Sequence, residues 1–294
     1  MIEFHADDYG MTEASSRRII ECINEGCING ISLMANSPHL EECMEILYRE
    51  AKKQPMLAIH LNLITERALG TREETPSLTD EDGYFNQSYL KLFLASLIPF
   101  ERERIRREIH DELLRQIRRC LPYFPGKEQV RIDSHRHVHM IPMVFDELSR
   151  IIEEEGLQVS YVRITREKPQ TYEGIRGFTH FRPVNLIKVL LLNAFARVNR
   201  MRHRELYECG RSDFASILFS GCMTWHNLSR VLNNIRLHRT QYQENIEIMM
   251  HPGAVLEAED LKQFHDKEDF YYMSDPMRMK EAEAAKKVWS LLKS

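Results

Sequence analysis

The 294-residue sequence predicts an α/β fold in which about seven parallel strands form an irregular (β/α) barrel. Short apolar segments typical of strands alternate with segments of helical period along most of the chain. The connections between them are mostly short, which favours closure of the sheet into a barrel. An open doubly wound sheet is the alternative, because alternation alone does not determine closure. A single barrel reaches this length, so we expect one domain over residues 1–294.

The first elements form a βαβ unit. Residues 1–4 alternate as a strand does and are followed by two adjacent acids, Asp7 and Asp8. Residues 12–25 have helical period, and Gly26 is suited to end that helix. The apolar residues 30–35 are the second predicted strand.

The same alternation continues along the rest of the chain. Each further strand is predicted from a short apolar segment, and each helix from apolar residues at helical spacing. The predicted strands are 56–61, 130–133, 159–164, 214–219 and 245–250. The predicted helices are 40–53, 101–120, 143–155, 186–198, 227–237 and 276–292.

Two segments interrupt the alternation. Residues 65–100 contain Gly70, Pro76 and Gly83 with weak periodicity, which indicates an insertion over one face of the barrel. Such an insertion can act as a lid or a substrate-binding loop. Residues 167–183 have a similar composition and are expected to serve alongside it.

Composition excludes several classes of protein. The chain is 43% hydrophobic and 29% charged, which is typical of a globular protein with a large core. Its net charge is -4 with both signs interspersed, so nucleic acid is not an expected partner. The six cysteines include no Cys-x-x-Cys pair, which favours buried thiols in a reducing cytoplasm. No signal-peptide pattern and no apolar segment of bilayer-spanning length is present, so we expect no membrane partner.

Residues capable of chemistry lie at the carboxyl ends of the predicted strands. In a parallel barrel these ends share one face, where active sites are built. Each residue alone has an ordinary explanation, since paired Asp residues are common in turns and helix caps and a lone His is more often structural. The joint pattern favours one shared site. The residues are Asp7, Asp8, His60, Asp133, His135, Arg163 and His251.

One carboxylate with two imidazoles is a ligand set for an open metal site, in which a bound water can attack a carbonyl. The second Asp can accept the proton of that water, and His251 is placed to protonate a leaving nitrogen. Arg163 can orient or tune the catalytic Asp by pairing with it. Asp133 can accept an imidazole N–H and so direct the other ring nitrogen at the metal. His135, His137 and His139 would share one side of the chain if that segment were extended.

Five motifs in consistent order resemble the YdjC-like carbohydrate deacetylases, a family that includes chitooligosaccharide deacetylases and is related to the NodB-type polysaccharide deacetylases. They are His-Ala-Asp-Asp-Tyr-Gly from residue 5, His-Leu-Asn-Leu from residue 60, Asp-Ser-His-Arg-His-Val-His-Met-Ile-Pro at 133–142, Arg-Ile-Thr-Arg-Glu at 163–167 and Met-His-Pro-Gly at 250–253. The resemblance covers residues 1 to about 253. It implies a NodB-like barrel with one divalent metal cation, Mg²⁺ being favoured and Zn²⁺, Mn²⁺ or Co²⁺ being alternatives.

The resemblance also implies roles for individual residues. Asp8, His60 and His135 would hold the metal, Asp7 would be the general base, and His251 would match the general acid. The implied reaction removes N-acetyl groups from small N-acetylglucosamine-containing saccharides, either chitooligosaccharides or their phosphates, and releases acetate. This activity would belong to chitin degradation in the cytoplasm.

Two other functions remain as alternatives. The same ligand set describes the iron site of non-haem oxygenases, although that chemistry leaves the proposed acid and base unexplained. A non-catalytic saccharide-binding module could also keep this scaffold. The expected partner is a small saccharide, on which aromatic residues of the insertion such as Tyr84, Phe85 and Tyr89 could stack. The sequence leaves a homodimer open.

Overall fold

The computed structural model describes residues 1–124, 130–179, 181–257 and 262–293. Seven strands within these ranges form one parallel sheet in the order β5-β4-β3-β2-β1-β7-β6. The strands are β1 (Ile2–Tyr9), β2 (Gly30–Met34), β3 (Met56–Leu61), β4 (Val130–Ser134), β5 (Val159–Val162), β6 (Ser212–Ala215) and β7 (Asn245–Met250).

Helices cover the sheet and complete the core. They are α1 (Glu13–Glu25), α2 (Leu40–Glu50), α3 (Tyr89–Ala95), α4 (Pro99–Cys120), α5 (Pro142–Glu154), α6 (Pro183–Arg202), α7 (Arg204–Glu208), α8 (Trp225–Leu237), α9 (Lys267–Ser274) and α10 (Met277–Lys293). In α1, the Thr12 hydroxyl accepts the Ser15 N–H as an N-cap, and Ile19 and Ile23 are buried one turn apart. No helix among the described residues combines the length and apolar composition needed to cross a bilayer.

The sheet curls so that its two outer strands approach each other. The Tyr161 hydroxyl on β5 donates to the Glu247 carboxylate on β7 across the interior. The Cys209 thiol, just before β6, lies 2.8 Å from the Val159 carbonyl oxygen on β5. No hydrogen-bonded ladder joins β5 to β6 in the described ranges. The predicted α/β class with seven parallel strands is confirmed, and the strands curl into a half-barrel.

β1 is longer than the predicted strand 1–4 and contains both adjacent acids. Its Ala6–Tyr9 interval pairs with the shorter Ile31–Leu33 interval of β2, so β1 carries an extra residue in a β-bulge. Asp8 within the bulge has a left-handed backbone, with φ of 67°. The bulge interrupts the alternation of side chains along the strand, and Asp7 and Asp8 therefore both line one cavity.

β6 covers Ser212–Ala215 instead of the predicted 214–219. The N–H groups of Ser216 and Ile217 donate to the Glu167 carboxylate, so the backbone leaves the sheet at this point. The side chains that follow stay buried in a turn, and their apolar pattern extended the predicted strand too far. The predicted strands 56–61 and 245–250 coincide with β3 and β7, and the remaining predicted strands and helices are present with shifted ends.

Residues 65–100 add no strand to the sheet. An antiparallel bridge joins Arg67 to Tyr84, and α3 then leads into α4. Of the predicted sugar-stacking residues, Tyr89 lines the cavity, whereas Tyr84 stacks on His265 with ring centroids 3.7 Å apart and Phe85 is buried in the core. Only Tyr89 of these three aromatic residues borders the cavity.

Candidate metal centre

Asp8, His60 and His135 converge at the carboxyl end of the sheet. Asp8 lies in the β1 bulge, His60 near the end of β3, and His135 directly after β4. Asp8 Oδ1 lies 2.8 Å from His135 Nδ1 and 3.3 Å from His60 Nε2. One donor atom from each residue lies within 4.8 Å of the other two, a spacing that one cation can bridge.

Burial and charge act in opposite directions on this cluster. Burial by itself would raise the pKa of Asp8, but His135 and His60 hold that pKa well below its usual range. Burial would lower the pKa of His60, but Asp133 outweighs it and raises the pKa to about 10. The pKa of His135 is raised to about 9 because Asp8 and Asp269 outweigh burial in the same way. The carboxylates of the cluster thus attract positive charge, which either protons or a divalent cation can supply.

The donor set fits a divalent cation. Carboxylate oxygen and imidazole nitrogen are ligands for Mg²⁺, Mn²⁺, Co²⁺ and Zn²⁺. His135 Nε2 is buried without a hydrogen-bond partner in the described part of the chain, and its nearest acidic atom is Asp269 Oδ1 at 3.5 Å. Asp8, His60 and His135 would hold the cation, and the imidazole nitrogens would have to lose their protons to do so.

Among the residues that the structure describes, two other groups bring possible ligand atoms within 4.8 Å of one another. They are His5, Asp133 and Glu247, and Asp7, His60 and Asp133. In both groups carboxylates are already bonded to the Arg163 guanidinium. Neither Asp133 nor Glu247 borders the cavity. The cluster around Asp8 is therefore the better candidate for an exchangeable cation.

Asp133 links the cluster to the interior of the half-barrel. Its Oδ1 lies 2.6 Å from His60 Nδ1, the contact expected of a carboxylate that orients an imidazole ligand. Its Oδ2 accepts the Ser32 hydroxyl at 2.5 Å and lies 2.7 Å from Arg163 Nη2. His60 Nε2 is consequently directed at Asp8.

Arg163 follows β5 and is fully buried among carboxylates. Its Nη1 and Nη2 donate to the two carboxylate oxygens of Asp7 at 2.8 Å each, and its Nε donates to Glu247 at 2.6 Å. Burial would lower the pKa of Arg163, but Asp133, Asp7 and Glu247 raise it well above its usual range. The guanidinium therefore remains a cation, and the predicted pairing with Asp7 is present in the structure.

Residues 135–140 form a tight helical turn instead of an extended segment, because Arg136 and His137 have left-handed backbones with φ of 49° and 60°. The three imidazoles of this segment therefore diverge. His137 borders the cavity, whereas His139 Nε2 lies 2.7 Å from the Arg163 carbonyl oxygen. Burial lowers the pKa of His139 to about 4, so its ring is neutral and structural.

His251 follows β7 and borders the same cavity as the cluster. Its backbone N–H donates to Glu281 Oε2 at 2.5 Å, while Glu281 Oε1 accepts the Met223 N–H at 3.1 Å. The ring of His251 packs edge to face on Tyr272. Burial lowers the pKa of His251, partly opposed by Asp8, so protonation of this ring depends on nearby negative charge.

A cavity of about 650 Å³ is bordered by both the metal cluster and His251. Its volume is within the size range of small-molecule sites. Five of the residues predicted from sequence line it, and Arg163 lies behind Asp7 outside the lining. The five are Asp7, Asp8, His60, His135 and His251.

Sequence reasoning missed four supporting residues, Ser32, Glu247, Asp269 and Glu281. Ser32 and Glu247 lie inside otherwise apolar strands, and a polar residue in a buried strand was the available signal for them. Asp269 and Glu281 lie on α9 and α10, after the last strand, where no local pattern connects them to the site.

The model of a family described as YdjC-like protein matches residues 1–287. The chain belongs to the YdjC-like family. The family resemblance carried by the five motifs is thereby confirmed.

Two curated relatives are carbohydrate deacetylases. One from Brevibacillus brevis (strain 47) is 29% identical over 180 residues, which cover 60% of this chain and 66% of the relative. One from Thermoanaerobacter pseudethanolicus is 26% identical over 164 residues, which cover 56% of this chain and 61% of the relative. The chain thus spans just under two-thirds of the length of these relatives.

A solved structure shares the fold of this YdjC-like chain. It is a candidate cellobiose-phosphate cleavage protein from Enterococcus faecalis V583, with a TM-score of 0.60 at 20% identity. The match covers 99% of this chain and 93% of the other. At this level of identity the likeness supports the fold alone.

Proposed function

We propose that this YdjC-like protein is a metal-dependent carbohydrate deacetylase. The observation that carries the proposal is a single cavity bordered by a possible cation cluster, Asp8 with His60 and His135, by a separate carboxylate, Asp7, and by an imidazole, His251. Hydrolysis of an amide needs these three functions together: activation of water, acceptance of its proton, and protonation of the leaving nitrogen. Two relatives described as carbohydrate deacetylases support the substrate class.

The proposed substrates are small saccharides that contain N-acetylglucosamine, either chitooligosaccharides or their phosphates. Hydrolysis adds the oxygen of one water to the acetyl carbon, breaks the C–N bond, and leaves acetate and the free amine. A bound divalent cation, with Mg²⁺ proposed from the family, supplies Lewis acidity toward the acetyl oxygen and the attacking water.

The residues of the chain move the protons. Asp7 accepts the proton of the water, and Arg163, bonded to both of its carboxylate oxygens, fixes its orientation toward the cavity. His251 gives a proton to the amine nitrogen as the C–N bond breaks. Because burial lowers the pKa of His251, this step requires that negative charge formed at the reaction centre favour the imidazolium.

An acetate-release screen tests the proposal. Chelator-treated protein is incubated with N-acetylglucosamine, with short chitooligosaccharides and with their phosphates, each with added Mg²⁺, Mn²⁺, Co²⁺ or Zn²⁺. We expect metal-dependent acetate in equal amount to new amine, and the same rate without oxygen, which an oxygenase would not give. Absence of acetate for every saccharide and metal would overturn the proposal. Saccharide binding without acetate release would indicate a non-catalytic binding module instead.

A further inference from the structure

α3 and α6 present an unusual number of apolar side chains to solvent. Eight large apolar residues in two short segments are 47–66% exposed. They are Leu90, Leu94, Leu97, Ile98, Val184, Leu186, Ile187 and Leu190, and we call them the apolar rim. Single exposed apolar residues are common on proteins, but a concentration of them marks an interaction surface.

The apolar rim adjoins the cavity that the metal cluster borders. α3 packs on α6 through Phe93 and Phe195, whose ring centroids are 5.1 Å apart. Leu90 on α3 and Val184 on α6 border the cavity itself. The rim is therefore continuous with the entrance that a substrate must pass.

The cavity lining contains two chemically different sets of residues. Besides the acids and imidazoles of the candidate metal centre, it contains Ile64, Leu191, Leu192 and Ile217, which we call the aliphatic wall. A free N-acetylated saccharide offers only the small C–H faces of its rings and its acetyl methyl groups to an aliphatic wall. A long apolar chain attached to the sugar would bury that wall.

Cationic side chains form a third part of the cavity lining. Arg136, Arg182 and Lys188 border the cavity, and Arg136 and Arg182 also contact acidic residues. Lys188 has no close ion pair among the described residues, and its charged neighbours are Arg136, Arg182 and Glu268. Three cationic side chains in a lining that also holds aliphatic residues are complementary to an anionic group that joins a polar head to an apolar tail.

We infer that the substrate is an amphiphile, an N-acetylated amino sugar joined through a phosphate to a long apolar chain, and that the apolar rim docks on the lipid surface containing it. The inference rests on the proposed function, since the same amide bond is hydrolysed. It revises the expectation of no membrane partner, which came from the absence of a spanning segment. A second copy of the chain on the rim would close the mouth that Leu90 and Val184 border, whereas a lipid surface covers the rim and delivers the substrate.

Vesicle binding tests the docking surface without requiring catalysis. The full chain is sedimented with phosphatidylcholine vesicles with and without phosphatidylglycerol. We expect binding that is stronger with the anionic lipid and is weakened at least about tenfold in the triple variant Leu94→Ser, Ile187→Ser, Leu190→Ser. Met201→Ser with Leu237→Ser, two exposed apolar residues outside the rim, is the matched control and should bind as the parent does. The melting temperature of each variant shows that it is folded.

A pair of substrates tests the amphiphile itself. N-acetylglucosamine 1-phosphate and its farnesyl ester in vesicles are compared for acetate release, and we expect the ester to be preferred at least tenfold by the parent and less by the triple variant. Equal rates of acetate release from the two compounds, with no vesicle binding, would overturn the inference but would not contradict the proposed deacetylase function. A dimer that the triple variant dissociates, without vesicle binding, would also overturn it. Absence of acetate from both compounds would instead count against the proposed function, and vesicle binding would then decide the docking surface alone.

Discussion

The Arg163 guanidinium donates to both carboxylate oxygens of Asp7, at 2.8 Å each, from a position fully buried beneath the cavity. Two parallel charge-assisted hydrogen bonds fix the plane of the carboxylate. Asp7 is therefore held in one orientation at the cavity wall, beside the cluster of Asp8, His60 and His135.

Asp7→Asn removes the proposed proton acceptor while keeping the size of the side chain. We expect acetate release to fall by roughly 10²- to 10⁴-fold with the bound metal content unchanged. Acetate assay and metal analysis on the same preparation measure the two quantities. Asp213→Asn, in an ion pair with Lys168 away from the cavity, is the control and should keep full activity. Activity within a few-fold of the parent would exclude Asp7 as the base.

Arg163→Met leaves Asp7, Asp133 and Glu247 buried without their shared cation. Uncompensated buried charge is costly, and we expect the free energy of unfolding to fall by about 3–5 kcal/mol in urea denaturation. Arg17→Met removes an exposed arginine that also contacts two glutamates, and this control should cost only about 0–1 kcal/mol. Equal losses in the two variants would show that the interior charges do not depend on Arg163.

Metal binding should stabilise the folded chain. At a free concentration of about 100 times the dissociation constant, a cation that binds only the native state adds about 2.7 kcal/mol, or a melting temperature higher by about 5 °C. His60→Ala should abolish this increase, whereas His110→Ala, at a helix surface, should retain it. Differential scanning calorimetry with and without chelator makes the measurement. The same increase in melting temperature in His60→Ala would show that the cation binds at another site.

Glu167 gives the stability of the chain a pH dependence. Burial raises the pKa of Glu167 to about 7 in the folded protein, above its ordinary value of 4.5. The folded state then binds more protons than the unfolded state between these values, so this residue's contribution is complete below pH 4.5 and is lost as pH rises through 7. The loss is about 3 kcal/mol. In Glu167→Gln this loss of stability between pH 5 and pH 8 should be absent, as measured by urea denaturation at the two pH values. An unchanged loss would show that other groups cause the pH dependence.

Substitution of Gly210 tests how closely β5 approaches the segment before β6. A Cβ at Gly210 would lie 2.1 Å from the Ser160 carbonyl oxygen on β5, and its φ is 58°. Gly210→Ala should therefore destabilise the fold by about 2–4 kcal/mol. Gly156 has a similar φ of 59° but open space around it, so Gly156→Ala should cost only about 1–2 kcal/mol in the same urea assay. A similar cost for both variants would mean that β5 and the segment before β6 are not in contact.

The sequence predicted the fold class and the residues of the cavity because both depend on local patterns. Apolar segments identified the strands, and polar residues at their carboxyl ends identified His60, His135 and His251. The parallel arrangement then implied that these residues share one face. The predicted contact between Arg163 and Asp7 also follows from the ends of strands that the curl of the sheet brings together.

Other features depend on contacts between distant segments and were not predictable in this way. The β1 bulge arises from the register with β2, not from any pattern within residues 2–9. The early end of β6 depends on Glu167, which is far away in sequence. The apolar rim on α3 and α6 resembles buried helix in sequence, because exposure is decided by what the rest of the chain leaves uncovered.

Asp133 divides its two carboxylate oxygens between His60 on one side and Arg163 with Ser32 on the other. A change at any of these residues alters the balance felt by the other three, so paired substitutions here should be non-additive. During divergence of such a protein, a single exchange at this centre would disturb several of these contacts at once. Inherited change here is therefore expected to come as coordinated sets of substitutions.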